Sequence, residues 1–421
     1  MDRRLAEPTC RYGGKKVLSV DEQMKVISSG TMQIVPEDEL RKKLAEGRPL
    51  TIKLGVDPTS PDLHLGHVVP LRKMRQFQDL GHNVTLIIGN GTALIGDPSG
   101  RDSTRPPLTE EQVEANAQTY VAQAMKVLDP EKTKIVHNGD WLKPLNLAKM
   151  LELMSQFNVA RILEREDFHN RYTNGQSIAL HEFIYPVLQA YDSVVVKADV
   201  EMGGNDQIFN LLAGRDLMRA MGMEPQVALT MPLLVGTDGV KKMSKYYKNY
   251  VGLTDAPADM FGKVMSITDE LVPMYYRLCS TYSIDQIEAV DQAFKDGTAD
   301  PYKLKRALAA NIVDLYHGEG EGAKAEAAFD ATFKKNEAPE DTPEFPVSVV
   351  TTNDEGKVYL GKLLVDLGIA KSFGEARRLV DGGGVKIDGQ AVPAKEYNVD
   401  PALLKAGTYV QAGKRRWAKL V

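Results

Sequence analysis

Lys53-Leu54-Gly55-Val56-Asp57-Pro58-Thr59-Ser60-Pro61-Asp62-Leu63-His64-Leu65-Gly66-His67 decides the architecture. Residues 50–56 read as a strand. Asp57-Pro58-Thr59 stops that strand, and Pro61-Asp62 opens a helix over 63–80 that Gly81 closes. The hand-over puts His64 and His67 in the helix's first turn, three residues apart and so neighbours on its surface. Gly66 removes a side chain where a purine or ribose could lie close to backbone. Imidazole N–H groups beside a helix N-terminus favour an anionic phosphate. The plainer reading of such a string is a pair of surface histidines. Its place after the first strand of an alternating domain favours phosphate.

The alternation continues downstream. Strand candidates follow at 83–88, 133–137, 193–198 and 226–231, with helices at 109–128, 178–191 and 206–221. Strands alternating with helices give an α/β, Rossmann-like, doubly wound and mostly parallel sheet, which takes ligands at the carboxyl ends of its strands. Residues 1–49 form an N-terminal helical lead-in, including a helix from 35 to about 47. The catalytic domain is then expected at 50–248 and an all-α domain at 249–335. Residues 336–356, rich in Pro, acid and Thr, mark a linker. Residues 357–421 form a small α+β domain: helices at 359–367 and 373–381, the turn Gly382-Gly383-Gly384, then strand–turn–strand over 385–392.

At 421 residues the chain is long for one core, and two or three domains are expected. No stretch reaches the roughly 20 apolar residues of a membrane helix, so no membrane partner is expected. The first sixteen residues lack the apolar centre of a secretory signal. Cys10 and Cys279 are the only cysteines, too few and too distant for a disulfide framework or zinc site. A reducing, cytoplasmic location follows. The net charge of −5 is unevenly spread, because residues 357–421 carry twelve Lys/Arg against six Asp/Glu. A basic tail suits a polyanion, or is simply a solvated basic surface.

A second segment, Lys242-Met243-Ser244-Lys245, follows Gly236 and Gly239 in a loop free to close and reopen. No Walker-type loop occurs, so phosphates must be held another way. Two imidazoles and two ammonium groups with no obvious nucleophile suit an in-line displacement on a nucleoside triphosphate, where positioning and charge stabilisation do most of the catalysis.

On His64-Leu65-Gly66-His67 and Lys242-Met243-Ser244-Lys245-Tyr246, the chain resembles the class I aminoacyl-tRNA synthetases, whose signatures are HIGH and KMSKS. Tyr246 departs from the usual Ser or Thr. Gly96-Asp97-Pro98-Ser99-Gly100, with Arg101 and Arg105 after it, resembles the bacterial-type tyrosyl branch, and so does Tyr185-xxx-Gln189-xx-Asp192. The latter three residues lie at i, i+4 and i+7 on one helical face. Met202-Gly203-Gly204-Asn205-Asp206-Gln207 is similar to the branch's GG(S/T)DQ turn, with Asn205 a mild variation.

The resemblance spans roughly 30–421. It implies that L-tyrosine is activated with ATP to tyrosyl-adenylate and passed to the 3′ end of tRNA(Tyr), in a homodimer, with Mg²⁺ accompanying ATP. It implies that His64, His67, Lys242 and Lys245 stabilise the first transition state, with Arg101 and Arg105 assisting from a mobile loop. ATP would be held by Asp57, Thr59, His64, Gly66, His67, Asp206, Met243, Ser244 and Lys245. Tyrosine would meet Asp97, Tyr185, Gln189 and Gln207 at its amino and carboxyl end, and Asp192 at its phenol. Lys53 stands where one branch has a phenol-binding Tyr; pointing inward, its ammonium would lie near Asp192 and the phenol. Residues 249–335 would bind the anticodon. The tail, Ser372-Phe373-Gly374-Glu375-Ala376-Arg377-Arg378-Leu379-Val380 with Gly384-Val385-Lys386-Ile387-Asp388-Gly389, resembles a small RNA-binding module. Arg377, Arg378, Lys386, Lys414, Arg415 and Arg416 would form its basic face.

Three other readings remain open on sequence. A tryptophanyl enzyme shares the fold and both signatures, but usually lacks the tail and the Tyr–Gln–Asp face. A small-molecule nucleotidylyltransferase also uses HxGH but does not need the lysine loop or tail. A non-catalytic RNA-binding protein on a dead synthetase body is distinguished only by activity.

Overall fold

The computed structural model describes residues 11–12, 15–16, 18–97, 109–332, 338, 342–413 and 416–421. Two compact units emerge, one of residues 1–256 with 263–316, the other of 257–262 with 317–421.

In the first unit a short antiparallel pairing of Arg11–Tyr12 with Lys15–Lys16 precedes α1 (Val20–Ser28), which is started by a Ser19/Glu22 capping box. Then come β1 (Gln33–Val35), α2 (Glu37–Ala45), β2 (Thr51–Val56), α3 (Leu65–Asp79) and β3 (Asn83–Ile88). They are followed by α4 (Glu110–Ala124), β4 (Thr133–His137), α5 (Leu147–Met154), α6 (Leu180–Val196), β5 (Val200–Gly204), α7 (Ile208–Ala220) and β6 (Val227–Met231). The six strands lie in the order β1-β6-β5-β2-β3-β4. All pairs are parallel except β1 with β6. Strand order reverses between β2 and β5, the switch point where an α/β sheet opens a crevice for ligands. Val227–Met231 is buried throughout and Asn83–Ile88 nearly so, as expected of parallel strands covered on both faces. Further helices here include α8 (Val272–Cys279), α9 (Ile284–Lys295) and α10 (Pro301–His317), the last ending one residue past the unit's boundary.

Two readings change. Residues 193–198 are not a strand; α6 runs on to Val196 and closes on Lys197 in the left-handed conformation. Packing overrides the β-branched run Val194-Val195-Val196, because Val194 joins the Leu153, Val187, Ala190, Ala213 and Leu217 cluster. The strand that follows is Val200–Gly204. The short edge strand β1 lies inside the stretch read as helical lead-in.

The second unit contains β7 (Glu344–Phe345), α11 (Leu360–Asp366), α12 (Phe373–Asp381), β8 (Val385–Ile387), β9 (Gln390–Ala391), β10 (Tyr409–Ala412) and β11 (Arg416–Leu420). Its sheet runs β9-β8-β10-β11-β7 over a core that includes Leu360, Leu364, Ala376, Val380, Val385 and Val410. Part of the stretch read as a linker is therefore structured, since Glu344–Phe345 pairs in parallel with β11.

Candidate active site

His64 caps the N-terminus of α3 in an extended conformation, and the segment carrying it is pinned by a neighbouring stretch of chain. Leu65 N–H donates to Val251 O at 3.0 Å and Leu253 N–H to Leu63 O at 3.0 Å. The two imidazoles stack with centroids 3.8 Å apart, and His67 Nδ1 accepts from the His64 main-chain N–H at 3.3 Å. Burial first, then the charges of His67 and Lys245, hold His64 down to about 2; burial and Lys245 hold His67 down to about 4. Both rings are thus neutral near pH 7 and act as hydrogen-bonding groups rather than cations. His64 Nδ1 is buried with no hydrogen-bond partner among the described residues. Gly66 also packs under the His64 ring: a Cβ there would sit 3.0 Å from it, so the imidazole would have to give way by a few tenths of an ångström.

The lysine loop faces this turn. Lys245 Nζ reaches Ser60 Oγ at 3.1 Å and Asp62 Oδ2 at 3.3 Å, in the segment between β2 and α3. Lys242 is exposed, and its charge opposes the burial that raises the Asp206 carboxyl. Met243 is buried, whereas Tyr246 is 83% exposed, with its N–H donating to Ser244 Oγ at 3.2 Å. The organiser of the loop is Asn249, which the motifs did not single out. Its Nδ2 donates to Asp238 Oδ2 at 2.9 Å and to Lys241 O and Lys242 O at 3.3 and 3.2 Å, and its Oδ1 accepts from Ser244 N–H at 2.8 Å. A Cβ at Gly236 would overlap the Asn249 side chain, so only glycine fits against this staple.

The Tyr–Gln–Asp face of α6 closes the crevice. Tyr185 donates its hydroxyl to Asp57 Oδ2 at 2.9 Å, and Thr92 Oγ1 donates to Asp57 Oδ1 at 2.7 Å. Burial pushes the Asp57 carboxyl up to about 7 against these bonds. Thr59 N–H donates to Asp57 O at 2.7 Å, tightening the turn after β2. Asp192 accepts from Trp141 Nε1 at 2.8 Å on one oxygen and from Asn138 Nδ2 at 3.1 Å on the other. Burial raises Asp192 to about 6, opposed by Lys53, Asn138 and Trp141. Asn138 Nδ2 also donates to Thr92 Oγ1 at 3.1 Å, which joins the two carboxylates in one network. At the other end Gln207 Nε2 donates to Asp97 Oδ2 at 2.8 Å, and Gln207 Oε1 accepts from Asn210 Nδ2 at 2.9 Å.

Lys53 has a partner that the motifs did not show. It points inward and is fully buried, close enough to Asp192 for its charge to lower that carboxyl, and its ammonium pairs with Glu201 at 2.6 Å. Arg101, Arg105, Lys414 and Arg415 lie outside the described residues. Asn138, Trp141, Thr92, Glu201 and Asn249 are the residues that motif reading missed. Asn138 and Trp141 directly follow β4, and the carboxyl end of a parallel strand was the available signal.

In the second unit Arg377 and Arg378 are exposed on α12, Arg377 lying 5.4 Å from the Tyr397 ring centre, and Lys386 is half-buried on β8. Arg416 is already engaged: Nη1 donates to Ile369 O at 2.9 Å and to Glu375 Oε1 at 2.8 Å.

Residues 45–334 match the family model described as tRNA synthetases class I (W and Y), and residues 360–402 match the S4 domain. The chain is 50% identical to the tyrosine–tRNA ligase of Aquifex aeolicus over 406 residues, covering 96% of this chain and all of that one. It is 50% identical over 406 residues to that of Bordetella pertussis, covering 95% and 96%. Among solved structures, a C-terminally truncated mitochondrial tyrosyl-tRNA synthetase from Aspergillus nidulans matches with a TM-score of 0.61 at 21% identity, covering 76% of this chain and 95% of that one. The Archaeoglobus fulgidus tyrosyl-tRNA synthetase complexed with L-tyrosine matches at 0.59 and 20% identity, covering 73% and 99%. At that identity the two structures speak for the fold.

Proposed function

Because this chain belongs to the tRNA synthetases of class I (W and Y), we propose that its crevice activates L-tyrosine with ATP and that the chain transfers it to tRNA(Tyr), as a tyrosine–tRNA ligase. The observation that carries the reading is Asp192. Trp141 and Asn138 occupy one acceptor direction on each of its oxygens, and among the described residues no other hydrogen bond fills what remains of this buried acceptor. A phenol O–H fills it, and phenylalanine leaves it unpaired. A site built to bond a substrate hydroxyl rejects the analogue that lacks it, and tyrosyl-tRNA synthetases are the established example of that discrimination.

The substrate's amino end then falls toward Asp97, Tyr185, Gln189 and Gln207, and its carboxylate attacks the α-phosphate of ATP in line. A bond from carboxylate oxygen to phosphorus forms as the bond to pyrophosphate breaks. Neutral His64 and His67 donate hydrogen bonds to the phosphates, with Gly66 keeping their stack intact. Lys242 and Lys245 supply the positive charge where negative charge develops on pyrophosphate, and Mg²⁺ enters with ATP as part of the substrate. Asp57, Thr59, Asp206, Met243 and Ser244 shape the nucleotide's seat, and Arg101 and Arg105 assist. In the second step the terminal ribose hydroxyl of the tRNA attacks the tyrosyl carbonyl and AMP leaves.

Residues 249–335 are assigned to the anticodon and the S4 match to the RNA body, with Arg377, Arg378 and Lys386 meeting phosphates. Leu147, Leu151 and Met154 of α5 lie at i, i+4 and i+7 and are 75%, 57% and 40% exposed, an apolar stripe that fits a second copy of this chain. No helix among the described residues is long and apolar enough to cross a membrane, and a cytoplasmic location is part of the reading. The test is charging: with ATP and bacterial tRNA, labelled tyrosine should become acid-precipitable and alkali-labile. Charging with tryptophan alone would replace the reading.

A further inference from the structure

Beneath the face of α6 lies a buried ion pair that has no place in the signatures. Lys53 on β2 and Glu201 on β5 are register partners across the switch point, and their side chains are 0% and 1% exposed. Lys53 Nζ donates to Glu201 Oε1 at 2.6 Å, to Ser193 Oγ at 2.9 Å and to the main-chain oxygen of Gln189 at 3.3 Å. Those three bonds use all the protons of an ammonium. Glu201 Oε1 also accepts from Gln189 Nε2 at 3.1 Å, and Oε2 accepts from Ser193 Oγ at 2.9 Å and from Gln226 Nε2.

The pair therefore holds Gln189 twice, once by its backbone and once by its side chain. A carboxylate has no proton to give, so the Gln189 amide meets it only through Nε2. Its Oε1 is then turned away from Glu201. A buried ion pair adds little net stability over an apolar pair of the same shape, so the fold alone does not call for one here. An apolar pair would also leave the amide free to rotate.

We propose that Lys53 and Glu201 are positioning residues for tyrosine binding: they lock the Gln189 amide so that its acceptor Oε1, rather than its NH₂ group, meets the substrate's α-ammonium. The proposal rests on the tyrosine reading above, in which Gln189 lies at the amino end. In this role Lys53 acts on the substrate through α6.

ATP–pyrophosphate exchange on the full chain, with KM for tyrosine and for ATP measured separately, tests it. Glu201→Gln alone strands the Lys53 charge, so the deciding protein is the double variant Lys53→Met/Glu201→Gln, which removes both charges and keeps the shape. It is measured with and without Gln189→Ala, and its folding is followed by thermal unfolding. Loss of one hydrogen bond to a charged group sets the expected size: KM for tyrosine rises about tenfold, KM for ATP changes by less than about twofold, and the rise vanishes in the Gln189→Ala background. An unchanged tyrosine KM, an equal rise in both KM values, a rise that persists without Gln189, or a double variant that does not fold each overturns the positioning role. Wild-type protein that exchanges with no amino acid, or with one other than tyrosine, instead sinks the function on which the proposal rests, and the proposal with it.

Discussion

The indole N–H of Trp141 lies 2.8 Å from Oδ1 of Asp192, so a residue just past β4 aims the carboxylate of a residue near the end of α6. Hydrogen bonds to a charged group are worth about 1.5–3 kcal/mol. Trp141→Phe should therefore raise the tyrosine KM in pyrophosphate exchange about tenfold. The ATP KM should stay near wild type. A tyrosine KM within about twofold of wild type would show that Asn138 alone suffices to hold Asp192.

Acidity should act through the same carboxylate. Burial sets Asp192 at about 6, and below that value it becomes a carboxylic acid. One oxygen then carries a proton and no longer accepts from the phenol. The sign is fixed: His64 and His67, held at about 2 and about 4, add no step near their ordinary value of 6.5. Asp57, pushed up to about 7, adds a fall that does not depend on Asp192, and kcat/KM for tyrosine falls further as pH drops through about 6. A pH–rate profile on wild type and Asp192→Asn reads this directly, because the variant should lose that inflection. A wild-type profile flat from about pH 5 to 8 would remove Asp192 from the binding step.

Gly66 makes a steric prediction with an internal control. A Cβ at Gly66 would meet the His64 ring at 3.0 Å, whereas nothing lies within 4 Å of one at Gly55. Gly66→Ala should displace the imidazole and lower kcat for exchange about tenfold or more, since misplacing a transition-state contact costs rate rather than affinity. Gly55→Ala should stay within about twofold of wild type. Equal effects of both would detach His64 from catalysis.

The signatures made the crevice legible but not what holds it. Residues 83–88, 133–137 and 373–381 read correctly because each is a run of one pattern bounded by turn residues. β1 and β7 escaped because two or three residues carry no period, and 193–198 misled because its valines favour strands while α6 packs as a helix. His64, Lys245 and Asp192 could be named from their motifs. Glu201 could not, because its partnership with Lys53 exists only once β2 and β5 lie side by side in register. Asn249 was equally silent, being an asparagine whose four loop contacts are all local geometry.

On the RNA side, Arg377 and Arg416 should behave differently. Arg377 is exposed on α12, whereas Arg416 is tied to Glu375 and Ile369. Arg377→Ala should weaken tRNA binding and lessen its salt dependence by about one unit of slope. Arg416→Ala should leave that slope unchanged, because its charge is spent within the domain. Binding titrations at several salt concentrations decide it, and identical slopes for wild type and Arg377→Ala would rule out a phosphate contact there.

The crevice beside Asp192 is proposed to activate tyrosine. ATP–pyrophosphate exchange with purified protein and each standard amino acid in turn, without tRNA, tests it most directly. Exchange with tyrosine, and not with phenylalanine or tryptophan, is expected. Exchange with tryptophan in place of tyrosine, or with no amino acid at all, would contradict it.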